Sequence, residues 1–392
     1  MLRLITGSGA GKVDIDSMKL LVATLVIHTV GPQTVIVLPG FVQGLVEYVG
    51  FSDQQAGVIA SAEMWGMASA TLIMMYLFSR VAWRKIFAIS LLLMLVGNLA
   101  SMFASGLYAY CSCRFLVGLG GGAIVAVSYA VFGLTSKADR NFGLGIMFVL
   151  VYGAVVFPLM PGLLSAMGMN GVLLFFASLA AIALFFVRYM PDSGEEHQDK
   201  DENAVKISDG LGYLALAAML VYFIANFAVW SYFFRLGVEA GLTEQVVGNG
   251  LSVSQFLGIA GAFTAALLGS RYGRIMPLSA GILGAGLVVL IFLGSVNAIV
   301  FTVIACVFNY CWNMTHPYLL AAMASFDPSG KMVVYATAMQ FIGISVGPAL
   351  GAALIINNSF DPVILVGAGL FLVSLLLILP PVISQARLRA GQ

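Results

Sequence analysis

Residues 50–85 read GFSDQQAGVIASAEMWGMASATLIMMYLFSRVAWRK. Ser52 and Gln55 have the spacing of a capping box, which predicts a helix start at this point. An apolar run follows, and a basic cluster from Arg80 to Lys85 ends it. The run is close to the roughly 20 residues that a helix needs to cross a bilayer. The stretch therefore predicts a membrane-spanning helix with both ends specified.

A similar stretch returns at residues 241–274, which read GLTEQVVGNGLSVSQFLGIAGAFTAALLGSRYGR. Five positions match at a constant offset of 191 residues: Gly50 with Gly241, Asp53 with Glu244, Gly57 with Gly248, and Ser79-Arg80 with Ser270-Arg271. This internal duplication predicts two halves built on one helical plan. Parallel repeats of this kind are typical of membrane transporters.

The composition places the chain in a membrane. Hydrophobic residues make up 61% of its 392 residues and charged residues 9%, and the mean hydropathy is +1.02. A soluble domain has about 45–50% apolar and 25% charged residues. The net charge of +1 comes without a basic stripe, so no nucleic-acid partner is expected. The four cysteines lie in apolar runs, and no disulfide framework, metal site or cofactor is predicted.

Twelve apolar segments have membrane-spanning length. They lie at about 18–46, 54–78, 83–105, 107–134, 141–165, 169–190, 210–238, 244–269, 274–294, 297–324, 331–357 and 361–384. The sequence thus predicts an all-α membrane protein of two six-helix bundles related by a pseudo-two-fold axis. The predicted parts are a polar, flexible tail at 1–17, bundles at 18–190 and 210–386, a charged linker at 191–209, and a tail at 387–392.

The positions of lysine and arginine predict the orientation. Sixteen of the eighteen fall on the side of the N-terminus: Arg3, Lys12, Lys19, Arg80, Arg84, Lys85, Lys137, Arg140, Arg188, Lys200, Lys206, Arg271, Arg274, Lys331, Arg387 and Arg389. The opposite loops hold only Arg235, and Arg114 lies within a helix. Because basic loops stay in the cytoplasm, both termini are expected to be cytoplasmic. The compact loops are typical of a bacterial protein, which would sit in the inner membrane.

Two opposite charges are predicted deep in the membrane. Glu63 lies eleven residues past Ser52, roughly 16 Å along the second helix. Arg114 lies about 10 Å into the fourth helix, in the same half of the bilayer. We expect the two to pair, directly or through water. The pair is either a structural lock between helices or a proton-carrying site, and buried intramembrane charges favour function.

Over essentially its whole length, the chain resembles the major facilitator superfamily. The resemblance rests on the six-plus-six layout, the charged linker and two motifs. Residues 114–122, RFLVGLGGG, look like the arginine–glycine motif of the family's fourth helix, and residues 269–274, GSRYGR, are similar to its cytoplasmic loop signature. The first-half counterpart at 79–85 is degenerate. Serine replaces the usual aspartate at Ser79 and Ser270, which puts the family's cytoplasmic charge latch in doubt.

The resemblance implies that helices one, four, seven and ten line a central cavity. Polar or aromatic candidates for substrate binding on these helices are Arg114, Gln33, Tyr222, Asn226, Trp230, Asn309, Asn313 and His316. The alternative is that they hydrogen-bond neighbouring helices, which stabilises a bundle by roughly 0.6–2 kcal/mol per contact. Since it precedes Pro317, His316 is equally suited to a local structural role. His28 is a second candidate proton carrier, because imidazole exchanges protons near neutral pH.

Proline and glycine mark candidate gating helices. Gly347 and Pro348 in the eleventh helix, and Pro158 in the fifth, allow close contact and bending. Arg80 and Arg271 are the gating candidates in the cytoplasmic loops, by resemblance to the family signature.

The resemblance and these residues predict a monomeric, proton-coupled secondary transporter of a small molecule working by alternating access. Proton antiport that exports amphipathic or drug-like compounds is the leading interpretation. Uptake of an organic anion with a proton, with Arg114 binding its carboxylate, is the alternative. An intramembrane enzyme or a receptor is a third class, but no nucleophile–base spacing or metal motif supports an enzyme.

Overall fold

The computed structural model describes residues 4–7, 10–78, 80–192, 208–269, 271, 273–326 and 331–390. Most of the predicted linker therefore lies outside the described residues. The predicted tail contains a small antiparallel sheet of β1, Leu4–Gly7, and β2, Ala10–Asp14. Ile5 stands opposite Val13 in this pairing. The structure thus gives regular backbone to part of the predicted tail.

The described residues divide into two compact units. The first comprises Met1–Val49, Ala62–Gly153 and Gly162–Gln198, and the second comprises Gly50–Ser61, Ala154–Pro161 and Asp199–Gln392. Up to the linker the helices are α1 Met18–Val30, α2 Gln33–Ile36, α3 Leu38–Gly44, a π-helical turn Leu45–Val49, α4 Asp53–Leu77, α5 Trp83–Ser101, α6 Leu107–Leu134, α7 Ala138–Met167, α8 Met169–Leu184 and a 3₁₀ turn Val187–Tyr189.

After the linker, the described residues form seven more α-helices. They are α9 Asp209–Trp230, α10 Phe233–Glu239, α11 Glu244–Leu268, α12 Ile275–Val289 with a 3₁₀ turn Leu290–Leu293, α13 Ala298–Phe326, α14 Lys331–Leu354 and α15 Asp361–Ala390. In the part of the chain that the structure describes, eleven helical segments are long and apolar enough to cross a membrane, with α9 and α10 joined into one of them. The chain is a multi-pass membrane protein.

The predicted first span is interrupted rather than continuous. Its 18–46 region forms α1, which is only 13 residues long, followed by α2 and α3. Pro32 lacks an N–H and stands between α1 and α2, and Pro39 lies in the first turn of α3. Each proline removes one backbone donor from the hydrogen-bond ladder, and the span divides next to these two positions.

The predicted start of α4 is confirmed. The Ser52 N–H donates to Gln55 Oε1 at 3.0 Å, and the Gln55 N–H donates to Ser52 Oγ at 3.2 Å, which forms the capping box. The duplication is also visible in the backbone. Gly50 and Gly241 both adopt a left-handed conformation, with φ of 87° and 86°. Only glycine takes such angles without strain, so the two copies keep the same turn before the helix.

A run of glycines lets α6 pack tightly within the first unit. A Cβ added to Gly118 would collide with the carbonyl oxygen of Glu63 in α4, and one added to Gly120 would collide with the Ser90 carbonyl oxygen in α5. Gly121 meets the carbonyl oxygen of Gly31, the residue that follows α1, in the same way. Small residues allow helix backbones to approach in membranes, and here they hold α6 against three helices.

Candidate functional site

Glu63 and Arg114 form a buried ion pair in the first unit. Arg114 donates from Nη2 and Nε to the same oxygen, Glu63 Oε2, at 2.7 and 2.9 Å. The Arg114 side chain is fully buried and the Glu63 side chain is 4% exposed. Removing two charges from water costs several kcal/mol per ion, so such a pair requires good geometry and further hydrogen bonds. Of the two expected arrangements, the structure shows the direct one.

Three further side chains surround the guanidinium. Arg114 Nη1 donates to Asn98 Oδ1 at 2.7 Å, and Nη2 donates to Thr34 Oγ1 at 3.1 Å. The Phe41 ring lies beneath the charge, with its centroid 4.7 Å from Cζ. Asn98 is itself oriented, because its amide donates to the Met94 carbonyl at 2.8 Å. Helices α2 to α6 thus supply the groups that stabilise one buried cation.

Sequence reasoning missed Asn98, Thr34 and Phe41. A signal for Asn98 was present, because it is the one amide within the apolar stretch of α5 and a buried amide in a membrane needs a partner. Thr34 carried no such signal, since threonine hydroxyls in helices commonly bond back to their own backbone.

Unpartnered polar groups occur in the same unit. The Tyr152 hydroxyl in α7 is buried without a hydrogen-bond partner. Both amide atoms of Gln33, the neighbour of Thr34 in α2, are also buried and unpartnered. Each such atom costs about 1–3 kcal/mol. The first unit therefore holds unused hydrogen-bonding capacity.

His28 lies away from the ion pair. It is buried in α1, with the rings of Tyr129 and Phe132 at 5.0 and 5.5 Å. Tyr129 follows Arg114 by fifteen residues on α6, roughly 22 Å along the helix. The structure thus does not bring this predicted proton carrier to Glu63 and Arg114.

The second unit has an uncharged hydrogen-bonded group at the duplicated position. Ser254 follows Glu63 by the repeat offset of 191 residues. Its hydroxyl accepts from Asn309 Nδ2 at 3.2 Å, and Asn309 Oδ1 accepts from Asn313 Nδ2 at 2.8 Å. Gly258 leaves room for both amides, since a Cβ there would lie 2.9 Å from Asn313 Nδ2. The second half therefore joins α11 to α13 with neutral groups.

The remaining substrate candidates differ in their surroundings. His316 is half-buried, and its Nε2 lies 3.1 Å from Gln340 Oε1. Tyr222 and Asn226 are buried, and the Tyr222 hydroxyl and both amide atoms of Asn226 have no hydrogen-bond partner. Trp230 is almost fully buried and stacks on Phe308, with centroids 6.3 Å apart. Trp230 is therefore a packing residue of the second unit in this structure.

The helical gating candidates are two prolines inside helices and one glycine at a close contact. Pro158 lies inside α7, where its carbonyl accepts from Gln245 at 3.2 Å. Pro348 lies inside α14, next to Gly347, at which a Cβ would come within 2.6 Å of Phe227 Cβ.

The two loop arginines differ from these helix positions. Arg80 lies over the ring of Tyr76, with Cζ 3.8 Å from the centroid, and Arg271 is exposed. The loop serines Ser79 and Ser270 lie outside the described residues.

The second unit contains an ion pair of its own, which was not predicted. Arg235 donates from Nε to Asp53 Oδ1 at 2.8 Å and from Nη2 to Oδ2 at 3.4 Å. The Tyr232 hydroxyl donates to the Asp53 carbonyl at 3.1 Å. A signal was available, because Arg235 is the one basic residue of the predicted outer loops and Asp53 begins an outer helix end.

The described residues contain no group of three or more His, Cys, Asp or Glu side chains placed to hold a metal ion. A sequence model of the Major Facilitator Superfamily matches residues 24–331. The chain belongs to the major facilitator superfamily. It is accordingly a transporter rather than an enzyme. A search of curated proteins found no match to its sequence.

Several solved transporter structures share the fold of this chain. A D-xylose–proton symporter is 15% identical, with a TM-score of 0.74, covering 92% of this chain and 96% of that chain. A bacterial homolog of the human lysosomal transporter Spinster is 12% identical, with a TM-score of 0.68, covering 93% and 95%. A POT family transporter in complex with a thioalcohol-conjugated peptide is 12% identical, with a TM-score of 0.70, covering 92% and 95%.

Proposed function

We propose that this chain is a proton-coupled secondary transporter working by alternating access, and that Glu63 carries the coupled proton. The observation that supports this proposal is the buried ion pair of Glu63 and Arg114. Among the described residues, Glu63 is the only buried carboxylate and Arg114 the only buried guanidinium. An ionisable pair in a membrane interior is expensive to keep and is commonly part of an ion or substrate pathway.

Protonation of Glu63 changes what holds Arg114. The ionised Glu63 carboxylate accepts hydrogen bonds from two N–H groups of Arg114. A protonated Glu63 carboxyl no longer attracts the guanidinium by charge. Arg114 then keeps Asn98 and Thr34 as hydrogen-bond partners, both of them neutral. Proton binding thus shifts the energy of the contacts among α2, α4, α5 and α6, which is how one proton biases a conformational equilibrium.

Proton antiport that exports amphipathic compounds is the direction and substrate class that we propose. Arg114 makes two hydrogen bonds to Glu63 and one each to Asn98 and Thr34, so little of the guanidinium is left for an anionic solute. The candidate groups of the second unit are neutral amides, an imidazole and aromatic rings. Such groups suit a neutral or amphipathic solute, which needs apolar surface and a few polar contacts.

Proton movement in sealed proteoliposomes tests the proposal. We expect at least one solute from a panel of organic acids and lipophilic cations to move protons through the wild type. We expect Glu63→Gln to abolish that movement in protein that elutes as folded on size-exclusion chromatography. A pH dye inside the vesicles measures the flux. Wild-type proton movement in Glu63→Gln would exclude Glu63 as the carrier and leave His28 as the candidate. Solute flux without proton movement would make Glu63 and Arg114 a structural pair.

Uptake of an organic anion with a proton is the second candidate. It is supported by the planar fork of Arg114, since protonation of Glu63 would release two parallel N–H groups that match a carboxylate. Arg114→Lys tests it by keeping the charge and removing the fork. For anion uptake we expect KM for the carboxylate to rise at least about 10-fold, because one bidentate contact is lost. An unchanged KM for every transported acid would contradict anion binding by Arg114.

The topology and gating also belong to this proposal. Sixteen of the eighteen basic residues fall on the predicted side of the termini, which supports cytoplasmic termini in an inner membrane. Alternating access needs helices that bend, and Pro158, Gly347 and Pro348 are our candidates for these bends. Arg80 and Arg271 remain the candidates for gating residues in the cytoplasmic loops. We propose a monomer as the transporting unit.

A further inference from the structure

The two halves of the chain share an interruption in their first helix. α9 begins at Asp209, the repeat offset of 191 residues after Met18 at the start of α1. The first copy is divided at Gly31 and Pro32, and the second at Ser231 and Tyr232, between α9 and α10. The two breaks do not match at the repeat offset, since position 222 lies inside α9. An interrupted membrane helix is tolerated where its freed polar groups are buried in protein or line a cavity.

Gln33 is the first residue of α2, directly after the interruption in the first copy. Its side chain is fully buried, and neither its amide nitrogen nor its amide oxygen has a hydrogen-bond partner. A buried glutamine can donate two hydrogen bonds and accept two, so leaving both atoms unpartnered is unfavourable. The side chain is therefore available for a partner that the protein itself does not supply.

Gln33 is next in sequence to a residue that contacts the coupling pair. The Thr34 hydroxyl accepts a hydrogen bond from Arg114 at 3.1 Å. Tyr152 of the same unit offers a further unpartnered hydroxyl. The interrupted helix thus places an available donor–acceptor group one residue from a side chain that binds Arg114.

We propose that Gln33 is a specificity-determining residue that binds a neutral donor–acceptor group of the transported solute, such as a primary amide or a hydroxyl. This inference rests on the proposed transport function and narrows its substrate class. The apolar surface of a solute is then not sufficient for tight binding, because a solute without a donor–acceptor group leaves Gln33 unpartnered. A site built to hydrogen-bond a solute discriminates strongly against an analogue that lacks the group.

Two matched pairs of probes test the inference in proteoliposomes. The cations are benzyl(carbamoylmethyl)dimethylammonium and benzyldimethylpropylammonium, and the anions are succinamate and pentanoate. Within each pair the members have similar size and charge, and one carries a primary amide where the other carries an alkyl group. We expect the wild type to move protons with at least one amide probe at a KM about 10-fold or more below that of its alkyl counterpart. In Gln33→Leu this preference should fall to about 1-fold.

Stability separates binding from a structural role. Gln33→Leu removes unpartnered polar atoms, so the Tm of the purified protein should be equal to or above that of the wild type. Gln43→Leu is the matched control, since Gln43 is an equally buried glutamine of α3 that does have an interaction partner. Gln43→Leu should lower the Tm.

Three outcomes overturn the inference, and they can be told apart. An amide preference that persists in Gln33→Leu excludes Gln33 as its source. Equal KM values for amide and alkyl probes in the wild type exclude the donor–acceptor site while leaving proton coupling intact. Transport of probes without any proton movement in the wild type contradicts the proposed function, and the inference that rests on it fails with it.

Discussion

Replacing Arg114 by leucine should lower the free energy of unfolding by about 3–5 kcal/mol, because Glu63 is then left buried without its partner. Arg114 makes four hydrogen bonds to Glu63, Asn98 and Thr34, and all of them are lost together. The measurement is thermal unfolding of the detergent-purified protein, followed with its yield from the membrane fraction.

A double variant supplies the critical control. Arg114→Leu combined with Glu63→Gln removes both charges, so it should recover more than half of the lost stability. Arg80→Leu, which changes an exposed arginine, should unfold like the wild type. If Arg114→Leu proved as stable as the wild type, or the double variant no better than the single one, the buried charge would not be the source of the cost.

Gly118→Val should abolish the packing of α6 against α4. The added Cβ would collide with the carbonyl oxygen of Glu63, and a backbone atom cannot move aside as a flexible side chain can. Overpacking of a core usually costs about 1–3 kcal/mol, and a backbone clash on this helix should reach the upper end of that range or exceed it. Size-exclusion chromatography and thermal unfolding of the purified variant measure the effect.

Gly133→Val is the matched control for Gly118→Val. Gly133 lies on the same helix, and a Cβ there would meet no atom within 4 Å. It should therefore elute and unfold like the wild type. Equal behaviour of the two variants would mean that α6 tolerates side chains along its whole length, and the close approach at Glu63 would be wrong.

The parts of the fold that follow local rules could be predicted. The capping box at Ser52 placed the start of α4, because its two reciprocal hydrogen bonds involve residues only three apart. α6 spans Leu107–Leu134 as expected, since an apolar run bounded by polar turns determines both of its ends. The first span differed, because its apolar pattern continues through Pro32 and Pro39 although its hydrogen bonding does not.

The candidate site was predictable only where charge revealed it. Glu63 and Arg114 are conspicuous in apolar helices, and their depths along α4 and α6 matched. Asn98, Thr34 and Phe41 approach Arg114 from three other helices, and their rotation about those helix axes depends on tertiary packing. His28 has the right chemistry for a proton carrier, but the helical rise alone does not show that its neighbours are Tyr129 and Phe132.

The central claim is that Glu63 couples proton movement to solute movement. It can be tested by measuring solute exchange separately from solute movement driven by a pH gradient. Once a transported solute is known, proteoliposomes containing Glu63→Gln are loaded with it unlabelled, and uptake of labelled solute is followed with and without a pH gradient. The account predicts that counterflow persists in this variant while movement driven by the pH gradient is lost. Gradient-driven movement by Glu63→Gln at the wild-type rate would contradict it.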